Sequence, residues 1–472
     1  MKDNDRRNKR GVTMYDVILI GAGAAGIFAA YEFAKDNPGM EILMIEKGYA
    51  LDKRFCPKTK NPTIPCRCKT CSIMEGFYGA GGFSDGKYNI TNNFGGELYR
   101  YIGEKEAIDL MWYVDQINLE MGGAEAKLYS TGNSTLKAEA LKHDLHLLDA
   151  KVRHLGTDRN FVIAGQMYDF IKDKMTILFE TEAETVEKVD NHFVIKTKDQ
   201  TFEGKKLILA TGRTGSNWIN KICDQFGIET ENNRVDIGVR VELPALIFKE
   251  ITDQVYESKI VYRTDRYNDL VRTFCMNPYG EVVTENYGDI VTVNGHSYSD
   301  PSKHTENTNF ALLVTNKFTE PFKNSNEYGE HIARLSNMLG GGVIMQRFGD
   351  LIKGRRSSKR RMLKCFTTPT LHATPGDLSL VLPKRQLDNI VEMIYALDKI
   401  APGTANEDTL LYGVEVKFYN SMVEVDQNLE TIIKGMYILG DCSGVTHSLS
   451  QAAASGIYVA KQLKEAYKNK EI

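Results

Sequence analysis

Four cysteines, Cys56, Cys66, Cys68 and Cys71, fall within sixteen residues in the pattern C-x9-C-x-C-x2-C, with Pro57, Pro62 and Pro65 among them. Thiolates at this density suit zinc or an iron–sulfur cluster. The nearby cations Arg54, Lys58, Lys60, Arg67 and Lys69 would favour the ionised, ligating form. The spacing matches no standard zinc or ferredoxin pattern, so residue type carries this reading. A second constellation is Gly21-Ala22-Gly23-Ala24-Ala25-Gly26 followed by Glu46 and Lys47. A G-x-G-x-x-G loop with an acid about 20 residues on binds a dinucleotide: the loop takes the pyrophosphate and the acid takes ribose hydroxyls.

The elements needed to position that loop are present. The apolar run Tyr15 to Ile20 precedes it and an Ala-rich helical pattern follows; Pro38-Gly39 turns the chain, and a second apolar run, Ile42 to Ile45, delivers Glu46. This is a βαβ unit. Gly21 permits the tight turn, Gly23 lets a pyrophosphate approach the backbone, and Gly26 lets the helix pack closely on the strand.

Three further motifs follow in order. Gly79-Ala80-Gly81-Gly82-Phe83-Ser84-Asp85-Gly86-Lys87 is a second glycine loop. Lys206 to Leu209 is an apolar strand ending in Ala210-Thr211-Gly212, with strand-like runs at Met175 to Glu180 and His192 to Thr197 before it. Gly435 to Leu439 is a strand ending in Gly440-Asp441, followed by the small-residue helix Gln451 to Gly456.

This arrangement resembles flavoproteins of the glutathione reductase type. The resemblance implies FAD, with Asp441 on the ribityl chain and the next helix pointing its N-terminus at the flavin ring. It implies that Gly81, Gly82 and Ser84 pass beneath the isoalloxazine and touch the pyrophosphate, and that Ala210, Thr211 and Gly212 return the chain to the cofactor domain. The cysteines fall about where such relatives carry a flavin-facing disulfide, so a Cys68–Cys71 pair exchanging electrons with the flavin stands beside the metal reading, and inert free thiols are the third reading. There is no second G-x-G-x-x-G, so NAD(P)H as a transient electron donor would visit without a fold of its own.

A finer resemblance spans nearly the whole chain. The cysteine-rich run into the second glycine loop, Gly238 to Glu242, Thr273 to Val283, Val293-Asn294-Gly295, Gln346 to Asp350, Leu411 to Glu415 and the Gly-Asp end are similar to a bacterial and archaeal family of FAD-dependent dehydrogenases. That family supplies cofactor and architecture, and no substrate. Relatives often read Gly-Asp-Gly at the end, where this chain has Asp441-Cys442.

With a flavin carrying the electron chemistry, the protein need only place a substrate and supply a proton donor. Candidates are His447, six residues past Asp441; Glu415, on an alternating strand where a solvated or ion-paired position is the commoner role; and Lys87.

The fold class expected is α/β: a Rossmann-like FAD-binding domain in discontinuous segments, 1–235 and 435–472, with an α+β substrate domain, 236–434, inserted. The first segment carries the cysteine-rich stretch 54–72 and a mostly helical stretch 101–160, read from Ile108, Leu110, Met111, Val114 and Ile117.

Composition narrows the rest. At 472 residues with net charge −3, the chain has no global pull toward nucleic acid or membrane. Its first fourteen residues lack an apolar signal region and no 18-residue apolar run occurs, which makes the cytoplasm the expected compartment. Eight cysteines are too few for a secreted disulfide scaffold. The function expected is an FAD-dependent oxidoreductase acting on a small organic molecule; oligomeric state is not read. Two alternatives stand: an electron-transfer or sensor flavoprotein, and a flavoenzyme modifying RNA. The basic run Lys353-Gly354-Arg355-Arg356-Ser357-Ser358-Lys359-Arg360-Arg361 motivates the last, although a solvated surface is its commoner meaning.

Overall fold

The computed structural model describes residues 13–57, 68–255, 257–287, 290–298, 301–322 and 324–471. The described chain divides into two units. The first comprises the chain through Leu128, Val152–Glu231, and the chain from Asn420 onward; the second comprises Tyr129–Lys151 and Asn232–Tyr419.

The first unit is built on a parallel sheet. Its strands lie in the order Thr176–Leu178, Ile42–Ile45, Met14–Ile20, Thr201–Leu209 and Met436–Ile438, all parallel. The antiparallel pair Ala183–Val189 and His192–Thr197 joins the first half of Thr201–Leu209.

Alternate residues feed two cores, as a sheet covered on both faces requires. Val17, Leu19, Ile42, Met44 and Ile208 pack under the helices, whereas Ile18, Ile20, Leu43, Ile45, Leu207 and Leu209 face the opposite layer. The helices Ala24–Lys35 and Leu449–Lys468 cross closely because of Gly456, where a Cβ would sit 2.1 Å from the carbonyl oxygen of Ala25. Register brings Ile20 opposite both Ile45 and Leu209, and Leu209 opposite Ile438, so the strands end together at their carboxyl ends. In open α/β sheets that edge is where ligands bind.

The second unit is an eight-stranded sheet, mostly antiparallel, in the order Thr374–Pro375, Ile344–Arg347, Leu410–Phe418, Val235–Pro244, Asn307–Asn316, Leu270–Asn277, Ile260–Arg263 and Leu145–Leu147. One face (Ile237, Val239, Val241, Phe310, Leu312, Val314, Val416) is a hydrocarbon core shared with the helices Ala245–Gln254, Ser325–Gly340 and Lys384–Asp398. Along Val235–Pro244 the intervening residues Asp236, Arg240 and Glu242 are polar, yet all are fully buried.

The stretch 101–160, expected to be mostly helical, carries its helices with short strands between them. Glu104–Asn118 is helical as the apolar spacing requires, but the helix ends in a turn at Gly122, with φ of 107°, and only Ser134–Leu141 and Thr157–Ile171 are helical beyond it. Between them lie short strands. Leu145–Leu147 has the buried–exposed–buried alternation of a strand and extends the second unit's sheet against Ile260–Arg263. The chain re-enters the first unit at Asn420, fifteen residues before Gly435, and Met422–Val423 pairs there with Thr230–Glu231.

Candidate functional site

The carboxyl ends of the parallel strands open into a cavity of about 620 Å³, within the size range of small-molecule and cofactor sites. It brings together most of the residues singled out in the sequence: Gly21, Gly23, Ala24, Ala25, Glu46 and Lys47; Gly81, Ser84 and Lys87; Ala210, Thr211 and Gly212; and Gly440, Asp441 and His447.

Gly21, Gly23 and Gly26 divide the work as the turn geometry demands. Gly21 has φ of 103°, and a Cβ there would meet the Ala210 carbonyl oxygen at 2.4 Å. At Gly26 a Cβ would lie 2.0 Å from the Gly21 carbonyl oxygen, so this glycine serves helix packing. Gly23 is different. It starts the helix without a side-chain cap, and among the described residues, its chain neighbours aside, a Cβ there would meet just the Ala210 carbonyl oxygen, at 4.0 Å. The second glycine loop closes over it: a Cβ on Gly79 would stand 2.9 Å from the Gly23 Cα.

Glu46 is buried at the end of its strand. Its Oε2 accepts from the Ala22 amide at 2.7 Å, and its Oε1 accepts from the Gly48 and Gly76 amides at 2.8 and 3.0 Å. The carboxylate therefore ties the first glycine loop and the segment leading into the second to the sheet. Ala22, which presents this amide, does not line the cavity, and neither does Gly82, whose Cβ would meet Arg54 Nη1 at 3.1 Å. Arg54 is buried and donates to the carbonyls of Ser72, Ile73 and Phe77 at 2.9, 2.8 and 2.6 Å. Burial lowers its pKa to about 10 despite the nearby Glu46 and Cys71.

Asp441 is held from two sides. Arg213 Nε donates to its Oδ2 at 3.0 Å, and His447 Nδ1 lies 3.3 Å from its Oδ1. Burial alone would raise the Asp441 pKa, but Arg213 and His447 more than offset it and hold the carboxyl below its ordinary value. His447 sits just before the helix Leu449–Lys468, whose N-cap Ser448 accepts from the Gln451 amide. Lys87 pairs with Asp85 at 2.9 Å and Lys47 with Glu75 at 2.6 Å. The Ser84 hydroxyl donates to the Gly81 carbonyl at 2.8 Å and accepts from the Gly86 amide, which shapes its own loop. Such a site can take a phosphate chain at backbone amides, hydroxyls at Glu46 and Asp441, and a proton at the Asp441–His447 pair.

Glu415 is not brought to this cavity; it belongs to the second unit. Arg240 Nε and Nη2 donate to its two oxygens at 2.8 Å each, and both side chains are fully buried. This is the ion pairing its strand position suggested. Arg213 escaped the sequence reading although it directly follows Ala210-Thr211-Gly212; so did Thr181, Asn217 and Trp218, which line the cavity from segments that carry no motif.

Cys66 lies outside the described residues, as do Lys58, Lys60 and Arg67. Cys68 and Cys71 are separate thiols, exposed and half-buried respectively, and Cys56 is half-buried. Among the described residues no three His, Cys, Asp or Glu side chains are grouped to hold a metal ion. No described helix is long and apolar enough to cross a membrane.

Residues 235–418 match the family described as FAD-dependent protein, C-terminal domain-like. Over 472 residues the chain is 26% identical to an uncharacterized protein of Clostridium beijerinckii, spanning 95% of this chain and 81% of that one. Among solved structures it is similar to a flavoprotein/dehydrogenase from Cytophaga hutchinsonii (11% identity, TM-score 0.41, 97% of this chain and 79% of that chain). A glycine oxidase from Geobacillus kaustophilus gives 11% identity and a TM-score of 0.38, over 97% and 94% of the two chains. These structural likenesses are too distant to bear on function.

Proposed function

We propose that the chain is an FAD-dependent oxidoreductase acting on a small organic substrate. The observation that carries this is the convergence of the uncapped glycine loop, Glu46 and Asp441 on one cavity at the carboxyl edge of a parallel sheet. The match of residues 235–418 to a family of FAD-dependent proteins supports the choice of dinucleotide.

The residues present fit FAD. Gly23 leaves open the space that a pyrophosphate needs, and the first amides of the helix Ala24–Lys35 face it at the positive end of the helix dipole. Glu46 Oε2 carries one amide bond and retains an acceptor position for a ribose hydroxyl. Asp441, kept ionised by Arg213 and His447, would accept from the ribityl chain. Bound FAD supplies hydride and electron transfer. The chain's own residues do the rest: the two glycine loops bind and orient, Asp441 fixes the His447 ring, and His447 and Lys87 are the groups at hand to hold or move a proton.

The cysteine-rich segment enters this reading as an auxiliary site, in which Cys56, Cys66, Cys68 and Cys71 hold zinc or an iron–sulfur cluster, or Cys68 and Cys71 cycle as a redox pair. NADH or NADPH is the electron donor to test first.

The absorption spectrum of the anaerobically purified full-length protein, with the released cofactor identified, tests the proposal. The expected result is a flavin spectrum with FAD released in about one equivalent per chain. A protein that neither carries flavin nor takes up added FAD overturns it. Anaerobic mixing with NADH, NADPH and organic acceptors then separates an oxidoreductase from a flavin sensor, which would turn over with none of them.

A further inference from the structure

The basic run of the second unit has two sets of residues with different fates. One set is paired with carboxylates. Asp350, with no exposed side-chain surface, accepts from Arg355 Nε at 2.8 Å, Ser357 Oγ at 2.8 Å and Arg361 Nε at 3.1 Å. Lys353 pairs with Glu407 at 2.5 Å. Asp408 continues the anchor, accepting from Arg347 Nε at 2.7 Å and from the Phe366 amide at 3.2 Å, while its carbonyl takes the Cys365 thiol at 3.5 Å. Residues 353–366 are thus pinned to the helix Phe348–Ile352 and to the turn before the strand Leu410–Phe418 by two carboxylates.

The other set points outward. Arg356, Lys359, Arg360 and Lys364 are exposed, and none has an acidic partner among the described residues. Among these cations stand Leu363, 88% exposed, and Phe366, 57% exposed. Apolar side chains held this far out, on a segment anchored this firmly, are placed for a contact outside the protein.

We propose that this cationic spur, tipped by Leu363 and Phe366, is a docking surface for an anionic lipid bilayer. Charge complementarity is the first argument: four cations with no acidic partner among the described residues meet the negative potential of anionic headgroups. The apolar tips are the second, since binding at a membrane interface grows with the apolar area inserted as well as with attraction to anionic lipids, and both are here on one segment. Single-stranded RNA fits less well. Its sites stack bases on repeated aromatic platforms, whereas this surface offers one phenylalanine and a protruding leucine with no face to stack on. A net charge of −3 over the whole chain conceals the patch.

The test is co-sedimentation of the full-length protein with phosphatidylcholine vesicles, with and without about 30% phosphatidylglycerol. Binding to the anionic vesicles alone is expected, weakening with salt. The triple variant Lys359→Ala, Arg360→Ala, Lys364→Ala should bind at least about tenfold more weakly, and Leu363→Ser with Phe366→Ser should lose most of the binding that persists at high salt, both with an unfolding midpoint like that of the parent. Equal sedimentation with neutral and anionic vesicles, or undiminished binding by the triple variant, overturns the proposal. Capture of poly(U) at low salt with vesicles left unbound overturns it too, and assigns the spur to nucleic acid.

Discussion

Arg240 and Glu415 meet through two hydrogen bonds of 2.8 Å each, with neither side chain exposed to solvent. Every N–H of the guanidinium is used, because the remaining donors reach the Cys275 carbonyl, Asn309 Oδ1 and Asn294 Oδ1. Such a pair binds the sheet's polar face together and gives Glu415 a structural role. Removing one partner strands a buried charge, so Glu415→Gln should lower unfolding free energy by about 3–5 kcal/mol in denaturant titration. A variant of parental stability with slow turnover would restore the acid role.

Gly21 and Gly23 separate fold from ligand. Gly21→Ala forces a Cβ into the Ala210 backbone at positive φ and should cost about 1–3 kcal/mol of stability. Gly23→Ala meets nothing closer than 4.0 Å, so the cofactor-free protein should keep its stability to within about 0.5 kcal/mol while losing flavin. Paired measurements of denaturation midpoint and bound FAD check both. Retention of flavin by Gly23→Ala would remove that glycine from the pyrophosphate site.

These contrasts mark what was legible in the residues. The βαβ unit from Met14 to Glu46 could be read because loop, strands and acid are close in sequence, and each has a local signature. Glu415 showed its strand but not its partner, which lies 175 residues away. The strand Leu145–Leu147 went unread for the same reason: three residues become a strand only against Ile260–Arg263. Arg213 was one residue past a motif already noted, and only its reach to Asp441 gives it meaning. Asp350 lay three residues before the basic run, near enough to have suggested that part of that run is neutralised internally.

The Asp441 carboxyl is depressed in the folded protein, so its contribution to stability is present above the ordinary carboxylate pKa and is lost as pH falls through the lower, folded value. Thermal melts of the parent and Asp441→Asn should therefore differ by a constant amount from neutral pH down to about pH 4 and converge below it. A gap that stays open well below the ordinary carboxylate pKa would remove the Asp441 charge as its cause.

The cysteine segment gives a direct measurement. Anaerobically purified protein should contain about one equivalent of zinc, or the iron of one cluster, per chain, and Cys68→Ser should lose it. Less than about half an equivalent, with Cys68 and Cys71 forming a disulfide on mild oxidation, would favour the redox pair instead.

Because Met436–Ile438 is the last strand to join the parallel sheet, the edge of Thr201–Leu209 that receives it must wait while the intervening chain is made. At about 5–20 residues per second, translation leaves that edge open for some ten seconds or more. Throughout this interval Asp441, proposed above to hold the ribityl chain, has not been synthesised, so on that proposal cofactor capture follows its synthesis. A ribosome stalled within the second unit would hold a first unit with an uncovered central strand, the kind of edge that pairs with other chains.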